Sequence, residues 1–135
     1  MIAVDSSAII AIVQLEPEAR EFTRCMERAS SVCFSAVSLQ ETLTVVTGRR
    51  PNAAAWEPVE QVIRDLELEI VAHTEALARV ASEAFLRFGK GRHPARLNFG
   101  DCASYALAKS LRIPLLFKGA DFAKTDIVPA LAAPA

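Results

Sequence analysis

Four short apolar runs constrain the fold of this chain more than any other feature. They are Ile2-Ala3-Val4, Val32-Cys33-Phe34-Ser35-Ala36, residues 68–72 and Pro114-Leu115-Leu116-Phe117-Lys118. Each is too short for a buried helix and has the length of a buried strand. Between them, apolar residues recur at helical spacing: Ala19, Phe22, Cys25, Met26 and Ala29 share one face, and Leu77, Val80, Ala81, Ala84, Phe85 and Phe88 another. Strands alternating with helices predict a parallel sheet covered on both sides, that is, a three-layer α/β/α sandwich. Residues 125–128 are expected to add a short strand, giving a central parallel sheet of four to five strands. No repeat or linker composition interrupts the pattern, so residues 1–135 are read as one domain.

Helix starts follow from capping chemistry. Ser6 or Ser7 is expected to cap the first helix, and Pro17 to stand at the first position of the second. Ser38-Leu39-Gln40-Glu41 has the capping-box form and predicts a helix from there to about residue 47. Gly48-Arg49-Arg50-Pro51-Asn52 breaks the pattern, and a further helix runs to about residue 66. Asn98 is a good N-cap, and Cys102, Ala103, Ala106, Leu107, Ser110 and Leu111 then recur at helical spacing, placing Asp101 at the third helical position. Phe99 and Tyr105 are expected in the core.

Composition narrows the function. The net charge of −1 gives no global positive field, so any nucleic-acid contact must be local. Three cysteines with neither C-x-x-C nor zinc-ligand spacing read as buried thiols in a reducing compartment. Asp5 interrupts the first apolar run, which argues against a signal peptide, and no run approaches a membrane span. The expectation is a cytoplasmic protein with no membrane contact. The hydrophobic share of 52% leaves apolar surface for a partner or a second copy.

In such sheets, ligands bind beyond the carboxyl ends of the strands. Four acids fall there: Asp5 after the first strand, Glu41 in the helix after the second, Asp101 at the start of the helix leading into the fourth, and Asp121 after the fourth. Each alone has a structural explanation, as turn or capping residue. Four on one rim repel one another and are normally tolerated for a cation, and oxygen-only ligation favours Mg²⁺ or Mn²⁺ over zinc. A metal so held can activate water and clamp a phosphate. His73 and His93 read as a strand-end and a loop residue rather than ligands. No G-x-S-x-G elbow, Walker loop or G-x-G-x-x-G follows a strand.

Ile2-Ala3-Val4-Asp5-Ser6-Ser7-Ala8, Ser38-Leu39-Gln40-Glu41, Gly89-Lys90-Gly91, Leu97-Asn98-Phe99-Gly100-Asp101-Cys102 and Leu116-Phe117-Lys118-Gly119-Ala120-Asp121-Phe122 together resemble the PIN-domain ribonucleases. Within these, the chain resembles the VapC-type toxins of bacterial toxin–antitoxin pairs. The resemblance implies a Mg²⁺- or Mn²⁺-dependent endoribonuclease with Asp5 and Asp101 as main metal ligands. Glu41 would bind metal through water or orient the attacking water, and Asp121, alone or with Asp126, would complete the pocket. Ser7 would hydrogen-bond a carboxylate or phosphate. The resemblance further implies a cognate antitoxin and a homodimer.

Lys90, Arg92, His93 and Arg96 form a glycine-bearing basic loop just upstream of Asp101, and Lys118 ends the fourth strand. Lys90, Arg92, Arg96 and Lys118 are the expected RNA contacts, because an acidic metal site needs cations nearby to receive a polyanion. Arg49-Arg50 is a weaker candidate, and of the few aromatics only Phe99, Phe122 and Tyr105 could stack on a base near the site, Phe99 and Tyr105 being expected in the core instead. A receiver-type signalling domain would need a phosphate-accepting Asp after the third strand, where the chain reads Ala72-His73-Thr74. A haloacid-dehalogenase-type phosphatase would need an Asp where Ser7 stands. A non-catalytic partner-binding module keeping the acidic pocket is the remaining alternative.

Overall fold

The structure, a computed structural model, describes residues 1–49 and 52–132; Arg50, one of the weaker candidate RNA contacts, lies outside them. The elements run β1 (Ile2–Val4), α1 (Ser6–Val13), α2 (Ala19–Arg28), β2 (Val32–Ser35), α3 (Ala36–Arg49), a 3₁₀ turn (Ala53–Trp56), α4 (Glu57–Asp65), β3 (Leu68–Val71), α5 (Glu75–Phe88), α6 (Phe99–Leu111), β4 (Leu115–Leu116) and a 3₁₀ turn (Phe122–Lys124). The four strands pair in parallel in the order β3-β2-β1-β4. The order of the strands reverses between β1 and β4, and sheets of this kind bind ligands beyond the carboxyl ends at such a point.

Side chains alternate across each strand, so the sheet divides the core in two. Ile2, Val4, Val32, Phe34 and Leu116 pack with residues of α1, α2, α3 and α4 on one face. Ala3, Cys33 and Leu115 pack with α5 and α6 on the other. This is the expected three-layer sandwich. Helix α6 is buried through its middle, from Cys102 to Ala108, where Ala103, Ser104, Ala106 and Ala108 are small enough to let it lie close to the sheet.

Several expectations shift. Asp5, not Ser6 or Ser7, caps α1, its carboxylate accepting from the Ser7 N–H. Helix α2 starts at Ala19, two residues after Pro17. Helix α3 starts at Ala36, where the Ser35 hydroxyl accepts from the Val37 N–H at 3.1 Å, so Ser38 and Glu41 lie inside the helix and form no capping box. Residues 125–128 form no strand. One isolated parallel bridge falls just beyond them, Leu115 to Pro129, and Pro129 has no N–H with which to extend a ladder. Phe85 is 40% exposed and Phe99 78% exposed, where both were expected to face inward.

The segment between α5 and α6 is a closed loop. Lys90 N–H donates to the Leu97 carbonyl and Leu97 N–H to the Phe88 carbonyl, pinching its neck, while buried Ala95 and Leu97 fill it. The neck has room only for Gly89, since a Cβ there would lie 2.3 Å from the Phe85 carbonyl oxygen. Gly89→Ala must push back the last turn of α5. It is expected to destabilise the protein by about 1–3 kcal/mol and lower the melting temperature by several degrees, measured by thermal denaturation followed by circular dichroism.

Candidate active site

Asp5 is the fixed point of the site. Its backbone N–H donates to the Leu116 carbonyl at 2.9 Å, the last rung between β1 and β4, so its side chain emerges at the sheet's carboxyl edge. The residue is 2% exposed. A buried carboxylate is tolerable only when its oxygens are satisfied. Oδ2 accepts from the Ser7 N–H at 3.0 Å, and Oδ1 from the Ser104 hydroxyl at 2.6 Å. Ser104 stands 3.0 Å from the Ser38 hydroxyl, and because Ser104 gives its single proton to Asp5, Ser38 is the donor of that second bond.

Glu41 projects from the second turn of α3 and accepts from the Ser6 hydroxyl at 2.5 Å. Both of its carboxylate oxygens lie where a side chain on residue 100 would be, 2.5 and 2.6 Å from the position of a Cβ. Gly100 is therefore the cradle that lets Glu41 reach the start of α6. Burial pushes the Glu41 pKa up, the Ser6 hydrogen bond opposes this, and the Asp5 charge adds to it.

Asp101 fulfils the capping box predicted for it. Its carboxylate accepts from the Asn98 N–H at 3.0 Å, and the Asn98 side chain accepts from the Asp101 N–H at 2.9 Å. It also belongs to the acidic rim. Burial is the main cause that raises its pKa to about 7; the Asn98 hydrogen bond opposes this, and the charges of Asp5, Glu41 and Asp121 add to it. The structural and electrostatic roles coexist. Burial, with a contribution from Asp101, pushes the neighbouring Cys102 thiol up to about 11, which leaves it unreactive. Asp121 is exposed just ahead of the final 3₁₀ turn and makes no capping bond.

The remaining candidates divide. The Ser7 hydroxyl accepts from the Lys118 N–H at 3.0 Å, tying α1 to the end of β4, and only the Ser7 backbone touches a carboxylate. Asp126 faces elsewhere: it accepts from Tyr105 Oη at 2.7 Å and pairs with Lys109 Nζ at 3.1 Å and Arg87 at 3.5 Å. Burial pushes Asp126 up, but the Tyr105 and Lys109 hydrogen bonds outweigh it and hold the carboxyl below its ordinary value. Lys118 Nζ pairs with Glu16 at 2.8 Å and Glu18 at 3.2 Å. Lys90, Arg92 and Arg96 are exposed around an open hollow of about 560 Å³ that His93 also lines. His93 is part of the loop's own structure, its Nδ1 accepting from the Ala95 N–H and its ring set edge-on to Phe88. Arg49 is exposed at the end of α3.

Sequence reasoning missed Ser6, Ser38, Ser104 and Gly100. The signal was spacing. Ser38 lies three residues before Glu41 and Ser104 three after Asp101, so each serine shares a helix face with an acid.

The donor chemistry fits a hard divalent cation, with carboxylate oxygens only and mutual repulsion that a cation would relieve. Among the described residues, no three His, Cys, Asp or Glu side chains are yet drawn together to hold an ion. Each of the three more buried acids is turned toward its own donor: Asp5 to Ser104, Glu41 to Ser6 and Asp101 to Asn98.

Comparison with known proteins identifies the family. The PIN domain family matches residues 2–128. VapC ribonuclease Mb2780c of Mycobacterium bovis is 41% identical over 128 residues, covering 94% of this chain and 97% of that protein. Ribonuclease VapC28 of Mycobacterium tuberculosis is 41% identical over 129 residues, covering 95% and 96%. Among solved structures, Mycobacterium tuberculosis VapC20, described as a sarcin-ricin loop cleaving toxin, superposes with a TM-score of 0.75 at 23% identity, covering 95% of this chain and 97% of that one. A toxin–antitoxin complex from Klebsiella pneumoniae gives a TM-score of 0.69 at 17% identity, covering 100% and 98%. From β1 through the acids of its sheet edge, the chain belongs to the PIN-domain family and, within it, to the VapC ribonucleases.

Proposed function

We propose that this toxin endoribonuclease cuts RNA at the rim formed by Asp5, Glu41, Asp101 and Asp121, using a carboxylate-held Mg²⁺ or Mn²⁺. The observation that carries the reading is electrostatic. Asp101 lies within reach of three acids from three other segments, Asp5, Glu41 and Asp121, and all three raise its pKa. A bound divalent ion would supply an activated water and hold the phosphate oxygens as charge develops on them. Asp5 and Asp101 would hold it, with Glu41 and Asp121 binding directly or through water. Asp5 contributes rigidity, because Ser104 and the Ser7 N–H hold its carboxylate in one orientation. Glu41 has Oε1 bound by Ser6 and a raised pKa, which suits its other oxygen to orient the attacking water and accept its proton.

Exposed Lys90, Arg92 and Arg96 precede the Asp101 helix and would bind the phosphates flanking the cut. Lys118 would join them only by leaving Glu16 and Glu18. Trp56 is 41% exposed beside Leu39 and Leu43 of α3, and Leu86 is 67% exposed on α5. These apolar groups support a cognate antitoxin on the helical surface near the site and a second copy of the chain. No helix among the described residues is long and apolar enough to cross a membrane.

Asp101→Asn keeps the shape of the capping box and removes the charge. It is expected to lower RNA cleavage at least a hundredfold in Mg²⁺ or Mn²⁺, read by gel against an EDTA control, while circular dichroism stays native. Glu41→Gln should also lose activity. A variant of either kind that cuts at the wild-type rate removes that residue from the rim.

The same raised pKa sets a sign for stability. The folded state holds the Asp101 proton up to about pH 7, whereas the unfolded chain releases it near 3.8. The unfolded state therefore sheds its proton first as pH rises, and this group makes folding less favourable from about pH 4 to pH 7. In EDTA, the stability of Asp101→Asn relative to wild type should rise across that window. Saturating metal should stabilise wild type, by about 2.7 kcal/mol at a hundredfold excess over Kd, and the variant much less. Thermal melts across pH with EDTA or metal check both; parallel curves for the two proteins would contradict the shared cluster.

Replacing Lys90, Arg92 and Arg96 together with Ala should weaken RNA binding and flatten its salt dependence by about 0.7 in log–log slope per lost phosphate contact. The metal-induced melting shift should be unchanged. Fluorescence anisotropy over a salt series measures the slope.

A further inference from the structure

Phe99 occupies an unexpected position. It is the first residue of α6, two residues before Asp101, and its ring is 78% exposed while Tyr105 and Phe122 nearby are 5% and 3% exposed. A first helical position does not require an aromatic, and no core packing accounts for this one. The ring borders an open hollow of about 360 Å³ shared with Val37, Gln40, Glu41, Thr44 and Gly100. Thus an apolar face, a carboxylate of the rim and the polar groups of Gln40 and Thr44 meet in one depression. The Thr44 hydroxyl gives its proton to the Gln40 carbonyl and so turns a lone pair outward, while the exposed Gln40 amide offers both donor and acceptor. Flat apolar faces with a donor–acceptor edge are the chemistry of an unstacked nucleobase.

We propose that Phe99 is the platform on which a base next to the scissile phosphate stacks, with Gln40 and Thr44 reading its edge. This rests on the reading that the acidic rim is where RNA is cut. Phe99 and Glu41 line the same hollow, which puts the stacked base beside that rim, and only Gly100 separates Phe99 from Asp101. Phe99 is thereby a specificity-determining residue rather than a participant in phosphate chemistry.

The test uses the full chain, Mn²⁺ and a randomised single-stranded RNA pool whose cut ends are sequenced. Phe99→Ala is expected to raise KM about tenfold, as loss of one base–aromatic stack should, and to flatten the base preference beside the cut. Phe99→Trp should restore both and Phe99→Leu neither, with the metal-induced melting shift unchanged in all three. RNA carrying 2-aminopurine beside the preferred cut should be quenched on binding wild type and Phe99→Trp but not Phe99→Ala. Wild-type KM and preference in Phe99→Ala overturn the proposal. So does restoration by Leu, which would mark an apolar contact that needs no aromatic face. Asp101→Asn run alongside separates the two readings: if it is inactive while Phe99→Ala is unaffected, only the stacking falls. If Asp101→Asn cuts normally, the rim falls and the stacking with it.

Discussion

The buried charge of Asp5 is the constraint on which the rest of the site depends. A carboxylate that is 2% exposed must have its oxygens satisfied within the protein. Its donors come from two elements, α1 through the Ser7 N–H and α6 through Ser104, and Ser38 of α3 backs up Ser104. One hydrogen-bonded chain therefore fixes three helices against the end of β1. Loss of the Ser104 hydroxyl would leave both a buried charge and a buried Ser38 hydroxyl short of partners, so the network favours one arrangement of these elements over near alternatives. The register that brings Glu41 and Asp101 to the same edge follows from it.

The site's acids also hold the fold together. Asp101 terminates α6 through a reciprocal capping box and carries a pKa raised to about 7 by burial and by its neighbours' charges. Asp5 ends a strand, caps α1 and faces the rim. Gly100 contributes by lacking a side chain, leaving the space that the Glu41 carboxylate takes up. Gathering like charges opposes folding, and caps and hydroxyl donors offset part of that cost locally. A cation would relieve the remainder. With the proposed cation bound, stability and metal affinity would be linked through the same atoms rather than through distant parts of the molecule.

The elements were legible in the sequence wherever periodicity or cap chemistry was strong. The four strands, α5 and the Asn98–Asp101 box stand within a residue or two of their expected places. What misled was chemistry with two local solutions. Ser38-x-x-Glu41 reads as a cap, yet Ser35 takes that role three residues earlier, and the pair serves the site instead. Residues 125–128 have strand-like composition, but Asp126 is held by Tyr105, Lys109 and Arg87, and Pro129 allows a single bridge. Lys118 read as an open cation, and only the fold brings Glu16 and Glu18 beside it. The rim itself was legible because a parallel sheet sends every strand's carboxyl end to one side. The serines beneath it were not, because nothing in a single sequence says which faces of α3 and α6 meet.

A chain of net charge −1 has no long-range field to gather RNA, so placement of its few cations matters more than their number. The basic loop is not a free tether. Its neck is pinched between Gly89 and Leu97, Ala95 and Leu97 are fully buried within it, and the left-handed turn at Arg96 leads directly into the Asn98 cap. Only four residues separate Arg96 from Asp101, and they are held by the bridge on one side and the capping box on the other. Lys90, Arg92, Arg96 and one acid of the rim, Asp101, therefore lie on one internally bonded stretch of chain leading into α6. A phosphate held by the loop, as proposed, would lie at a set offset from Asp101, which would convert a non-specific electrostatic contact into positioning of a particular bond.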